Sequence, residues 1–419
     1  MAARSSLNDR IADAAFLFAA LLFPLVIALA HRGVAPLAGI CALAIALRVA
    51  VWRDGFQLFG TVGLQTEPLA QAAIASTLLC LWIVLGGVFF NAPEAAKLSL
   101  TVGAAILAAG ALSWEALNAS PMRLRRIAIG YAAAVATGAG LLLFEAMTGG
   151  FLRAITPPVD DSPARFYDMT ALGRGVTALS AMAFPAAAII YQLTKLRFAA
   201  AMPIMALAIA ALRFSIEANV IALTAGAGVL LTSLRTPALA MRLIGGLFLL
   251  GLAIAPAALL FPDSVVSFDH TGLPASWLQR FIIWRTAAAH AFGECFPLGC
   301  GADFARAIHN EGRMVSVPGS PIALPVMPIH PHNVFLQIWL ELGVPGVILV
   351  GVAVFGGMRA VGRAKIGEIA IAAISASAAV LLVSFSVEAS IWQAWRLAAI
   401  AFSAFGATIC AALQKNTVR

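Results

Sequence analysis

Apolar residues in this chain come in runs of about 20, separated by short polar or proline- and glycine-containing stretches, and the pattern recurs from end to end. A helix rises about 1.5 Å per residue, so each run is as long as the hydrocarbon core of a bilayer is thick. Twelve spans are expected, at roughly 14–30, 34–51, 69–90, 96–113, 127–148, 173–192, 198–213, 216–233, 241–261, 333–356, 368–388 and 391–412. The fold class that follows is all-α, a polytopic membrane protein of about 12 transmembrane helices. One polar stretch, 262–332, is far longer than the rest. It divides the chain into helices 1–9 (1–261), the large loop (262–332), and helices 10–12 with the C-terminal tail (333–419).

Composition agrees. Hydrophobic residues make up 62% of the chain and charged residues 11%, which excludes a soluble enzyme. A formal charge of +8 does not indicate nucleic acid, because the basic residues are spread over the loops between spans. With the N-terminus inside, Arg48, Arg53, Arg123, Arg125, Arg126, Lys195, Arg197, Arg235, Arg242, Arg359, Arg363 and Lys365 fall on one side, as the positive-inside rule asks. Both termini are then cytoplasmic. Arg4 and Arg10 before an apolar run ending Ala28-Leu29-Ala30 imitate a signal peptide, but a second run follows at once, and an uncleaved first span is expected.

Positive residues on the outer side gather in segments 149–172 and 262–332, and there they are all arginine: Arg153, Arg165, Arg280, Arg285, Arg306 and Arg313. Long loops cross regardless of charge. As a set, however, these planar forks suit phosphate or carboxylate and point to an anionic substrate. The long loop has internal order. Residues 277–290 read as a helix, Phe296 to Gly301 as a glycine-rich turn, 303–309 as a short helix, and 314–327, with Pro318, Pro321 and Pro325, as irregular. Its aromatic and arginine side chains suit a lid on the membrane surface.

Ile329 to Gly346 concentrates the candidate chemistry. Pro328 and Pro331 favour an extended approach, which sets His330 and His332, two apart, facing the same way. Asn333 is placed to cap the following helix, whose positive end disfavours imidazolium at His332 and attracts anions. Asn333, Gln337 and Glu341 share one helical face, and Pro345 cannot donate to the Glu341 carbonyl, so a bend is expected. Charged residues inside apolar runs are costly. Glu145, Arg213, Glu217, Glu341, Glu388 and Arg396 all fall near outer span ends, and Arg213 and Glu217, four apart, are expected to pair. No metal is expected: Asp160-Asp161 is adjacent spacing, and the histidines with Glu294 or Asp303 lack a ligand pattern. Cys41, Cys80 and Cys410 read as core packing. Cys295 and Cys300 either pair, in an oxidising compartment, or remain free.

His332-Asn333 with Leu336, Glu341, Gly343 and Gly346 resembles the signature of the O-antigen ligase and polymerase superfamily. So does Arg280-x3-Trp284 followed by Pro297-Leu-Gly-x-Gly301, with both elements at one large loop before the last three spans. Leu172-Gly173-Arg174-Gly175 is similar to a further element, without the asparagine often found before that arginine. Ser390-Ile-Trp-Gln-Ala-Trp-Arg396 is similar to the end of ligase-type members.

The resemblance implies an inverting, metal-independent glycosyltransferase of the bacterial inner membrane, multi-pass, with its active site facing the periplasm and no cofactor. It implies a polyprenyl-pyrophosphate-linked glycan as donor, lipid A–core or another glycan as acceptor, and membrane lipids as surroundings. Such a transfer needs a base on the acceptor hydroxyl and positive charge at the leaving pyrophosphate. His332 is the expected base or orienting group, with His330 beside it. Arg280, Arg174, Arg213 and Arg285 are the candidates for the pyrophosphate, with Asn333 and Trp284 on the substrate; Trp284, Trp392 and Trp395 suit sugars or interfacial anchoring. A polymerase of O-antigen or exopolysaccharide is the runner-up, and a protein-O-glycosylating member of the superfamily is a further alternative. A secondary transporter is the alternative from another class, disfavoured because the polar residues gather at one surface and no repeat is evident. Glycan, acceptor, linkage and oligomeric state are not legible.

Overall fold

A computed structural model describes residues 2–50, 67–155, 164–261, 272–364, 366–388 and 390–417. Arg53, Asp160, Asp161, Lys365 and the first part of the long loop lie outside the described residues. In chain order the helices are α1 (Ala2–Leu29), α2 (Val34–Ala50), α3 (Glu67–Phe89), α4 (Ala95–Asn118), α5 (Pro121–Thr148), the single turn α6 (Phe151–Ala154), α7 (Ala164–Thr194), α8 (Arg197–Arg213), α9 (Glu217–Ser233) and α10 (Pro237–Ile254), which a 3-10 segment (Ala255–Leu260) extends. In the long loop lie α11 (Ala275–Gly293), α12 (Phe304–Asn310) and a two-residue hairpin, β1 (Met314–Val315) with β2 (Leu324–Pro325). Then come α13 (Val334–Arg363), α14 (Glu368–Val387) and α15 (Ala394–Thr417).

The expected spans coincide in order with the long helices. Among the described residues nine are long and apolar enough to cross a membrane. α2, α8 and α9 have 17 residues each and sit at the lower limit of spanning length. Both loop helices occur close to where the pattern placed them. The segment read as irregular, 314–327, carries the small hairpin instead: Val326 also donates to Arg313 O, at 2.9 Å.

α7 is the most buried span and the centre of the bundle. Its alanine-rich surface, Ala178, Ala181, Ala183, Ala186 and Ala188, lets α14 and α15 approach closely. Pro185 has no N–H for the carbonyl of Ala181 four residues back. In an apolar interior that carbonyl needs another donor. It has two: Ser377 Oγ of α14 at 2.7 Å and Ser403 Oγ of α15 at 3.0 Å. One proline thus ties three helices together.

The bend expected near Pro345 is a break. Gly343 has φ +61° and ψ −158°, outside helical space, and the helix is kinked there. The freed carbonyls are taken by other segments. Cys300 N donates to Leu340 O (2.9 Å), Gly301 N to Glu341 O (3.0 Å) and Trp82 Nε1 to Leu342 O (2.8 Å), while Val344 N finds Pro297 O (2.8 Å). The Pro297-Leu-Gly-Cys-Gly301 turn therefore plugs the break in α13 by backbone contact. Cys295 and Cys300 form a disulfide at its edges.

The Glu341 carboxylate is buried at the same level. It accepts from Gln337 Nε2 (3.2 Å), Asp303 N (3.1 Å), Ala305 N (3.4 Å) and Trp392 Nε1. The face shared by Asn333, Gln337 and Glu341 is real, but it points inward and binds loop to bundle.

Opposite the end that carries the long loop, Glu115 is wholly buried. It pairs with Arg48 and with Arg123 at 2.9 Å, and Arg123 also reaches Asp13 at 3.1 Å.

Candidate active site

Pro331 brings the chain to His332, whose φ of +54° is left-handed, and Asn333 then opens α13 by accepting from Leu336 N at 3.1 Å. The two imidazoles have ring centroids 4.3 Å apart. An extended segment was expected to align them; it is the left-handed turn at His332 that accompanies their meeting. His330 is buried. Burial, then His332, then Arg396, Arg174 and Arg306 push its pKa down to about 3. Burial and Arg280 push His332 down to about 4, against a backbone hydrogen bond from its ring to Glu388. That bond uses one nitrogen. The other, Nδ1, is buried and has no partner among the described residues. Near neutrality His332 is therefore an uncharged ring held by one nitrogen and open at the other.

Arg280, Arg174, Arg396 and Arg306 are within electrostatic reach of one or other imidazole. Arg280, on α11, donates from Nε to Val387 O at 3.0 Å and lies over the Trp277 ring at 4.9 Å. Burial lowers its pKa, with Glu388 and Glu217 opposing. Arg174, near the loop end of α7, is within electrostatic reach of His330, Glu388 and His31. Arg396, buried at the start of α15, donates to Ser384 Oγ (2.6 Å) and Gln393 Oε1 (3.2 Å), lies 4.0 Å from Glu388, and covers Trp395 at 4.8 Å. Glu388 is a carboxylate within electrostatic reach of Arg174, Arg280 and Arg396. It accepts from Thr177 Oγ1 at 3.1 Å, which in turn accepts from Asn219 Nδ2 at 2.8 Å.

The structure thus brings His330, His332, Arg174 and Arg280 together. It does not bring the other two arginines. Arg213 is exposed, and among the described residues no ion pair joins it to Glu217, contrary to the expected pairing. Arg285 donates to the carbonyls of Leu259 and Phe261 (2.6 Å to the latter), so it closes the end of the 3-10 segment after α10. Trp284 packs with Phe261 and Phe281, at 6.1 Å from each ring. Trp392 is engaged by Glu341, and Trp395 lies edge-on to His31 at 5.3 Å. Asn333 serves the helix cap.

Sequence reasoning missed Arg396 and Glu388 as site residues, although both stood out as charges in apolar runs, which was the available signal. It missed His31 entirely. That imidazole sits at the α1–α2 turn with neither nitrogen hydrogen-bonded among the described residues, its pKa lowered to about 4 by burial and then by Arg174, Arg32 and Arg153. Among the described residues no group of three His, Cys, Asp or Glu is placed to hold a metal ion.

The arrangement is a neutral imidazole pair with arginines within electrostatic reach, at one end of the spans. It can accept a proton at His332 Nδ1 and hold a multiply charged anion. Comparison with known proteins agrees with the motifs. Residues 204–351 match the family model described as O-antigen ligase. A protein of Rickettsia typhi provisionally named a polysaccharide ligase is 28% identical over 164 residues, covering 37% of this chain and 40% of the relative. Its counterpart in Rickettsia prowazekii is 27% identical over the same coverage. The match thus spans about two fifths of the length of these relatives. No solved structure matches. This multi-pass membrane protein is similar, over residues 204–351, to the O-antigen ligase family.

Proposed function

We propose that the chain is an inverting glycosyltransferase that moves a glycan from a polyprenyl-pyrophosphate carrier onto lipid A–core, at the periplasmic face of the bacterial inner membrane. The observation that carries the reading is His332: one nitrogen held on the Glu388 backbone, Nδ1 without a partner among the described residues, Arg280 and Arg396 within electrostatic reach of it, and Arg174 within reach of the adjoining His330. In this reading the arginines bind the diphosphate. An acceptor hydroxyl attacks the anomeric carbon from the opposite face, the bond to the diphosphate oxygen breaks with its electron pair, and the configuration inverts. The hydroxyl proton passes to His332 Nδ1. A ring of lowered basicity takes it late, once bond formation has made the hydroxyl acidic. The arginines stabilise the charge that develops on the leaving group. No metal is needed for this division of labour. The Cys295–Cys300 disulfide and the basic residues of the opposite loops support a periplasmic loop.

Deletion of the gene, followed by a gel of the lipopolysaccharide, tests the reading. Loss of the ladder with lipid-linked polymer accumulating is expected. Single-repeat lipopolysaccharide would mean a polymerase, and an unchanged pattern would remove both.

A further inference from the structure

Beside the histidine pair, between the α8–α9 turn and α11, is a cavity of about 180 Å3. Ser215, Glu217, Ser276, Trp277, Arg280 and Glu388 line it. The proposed transfer mechanism uses only Arg280 and the Glu388 backbone, and sequence reasoning assigned no role to Trp277.

We propose that this cavity seats one neutral pyranose ring of the acceptor, presenting its hydroxyl to His332; the word acceptor rests on the transferase reading above, the sugar site does not. The lining has the parts a sugar ring needs: an indole for its C–H face, two carboxylates to accept from hydroxyls, and two serines able to do either. Arg280 lies over the Trp277 ring at 4.9 Å, a contact that fixes the indole beside the cavity. Charge argues against a phosphate here. Two carboxylates and one guanidinium line it, and neither Arg174 nor Arg396 is among its lining residues. Size argues for a single ring, since pockets for larger ligands occupy roughly 300–1,000 Å3.

An independent observation concerns Glu388. Its Oε1 accepts from Thr177, while its buried Oε2 has no hydrogen-bond partner among the described residues. Such an oxygen is costly unless a donor arrives, and a sugar hydroxyl is a donor of the right size. The Glu388 backbone holds His332, so the residue that lines the cavity is also the one that positions the imidazole.

The experiment uses full-length protein in lipid nanodiscs and a panel of neutral methyl glycopyranosides, read by saturation-transfer NMR. At least one glycoside should bind, and inorganic pyrophosphate should not displace it. Trp277→Ala should weaken binding about tenfold or more. Glu217→Gln, an exposed and isosteric change that leaves the fold alone, should weaken it several-fold. Absence of binding by every glycoside, or binding by both variants as tight as the parent's, overturns the proposal. In a transfer assay with lipid-linked donor, a raised acceptor KM with unchanged donor KM in Glu217→Gln supports it, and an unchanged acceptor KM overturns it while the transferase stands. Glycoside binding that depends on Trp277, in a protein that transfers nothing, upholds the sugar site and defeats the transferase reading.

Discussion

Substituting Gly343 by alanine tests the structural core of the site. A Cβ at Gly343 would lie 2.3 Å from Leu298 C, 2.4 Å from Gly299 N and 2.4 Å from Pro297 O. All three are backbone atoms, so no side-chain rotation relieves the clash. The backbone conformation there, φ +61° and ψ −158°, is nearly exclusive to glycine and costs about 1–3 kcal/mol for any other residue. Overpacking adds about 1–3 kcal/mol. The sum, roughly 2–6 kcal/mol, is a large share of a typical net stability of about 5–15 kcal/mol. Gly357 is the control. It lies in the same helix, and an added Cβ there meets nothing within 4 Å. Gly357→Ala should instead gain about 0.5–1 kcal/mol from helix propensity. Thermal unfolding of the two variants in one detergent reads the difference. Gly343→Ala should melt several degrees below the parent, or fail to accumulate, and Gly357→Ala at or above it. If both melt alike, the loop does not plug the helix as described.

Arg280→Ala and His332→Ala should each abolish transfer while protein still reaches the membrane, whereas Arg285→Ala should lower the melting temperature and keep transfer, because it donates to carbonyls of the α10 extension; equal activity in the Arg280 and Arg285 variants would refute that division. His330 and His332 titrate near 3 and 4 in the fold against 6.5 when free, so below about pH 6.5 the unfolded chain binds protons that the folded chain does not. Stability should therefore fall as pH drops from about 6.5 toward about 3, and fall less in a His330→Gln/His332→Gln double variant; parallel pH curves would contradict it. Glu341→Ala strips acceptors from Trp392, Gln337 and Asp303, each buried orphan costing about 1–3 kcal/mol, so a fall in melting temperature larger than for Arg285→Ala is expected in the same thermal assay.

The periodicity and length of the apolar runs determined the helices, because a bilayer leaves the backbone no alternative to bonding within each segment. Local chemistry was equally legible: Asn333 as a cap and Pro345 as a bend follow from groups within four residues of one another. Those effects need no knowledge of the fold. Which distant carbonyls are capped, and by what, was decided in three dimensions. Nothing within Ser377, Ser403 or Gly301 indicates that each donates to a carbonyl orphaned by a proline far away in sequence. The arginines show the same limit. As residue types Arg213, Arg280, Arg285 and Arg396 were interchangeable, and only helix packing turned two of them toward the histidines, one toward backbone carbonyls and one to the surface. Glu388 was legible as a costly charge, but its place between Thr177, Arg396 and His332 depends on three helices meeting at one end. Segment type is a local property of the chain. Convergence of side chains is set by the packing angles of the whole bundle, and a single residue pattern does not carry them.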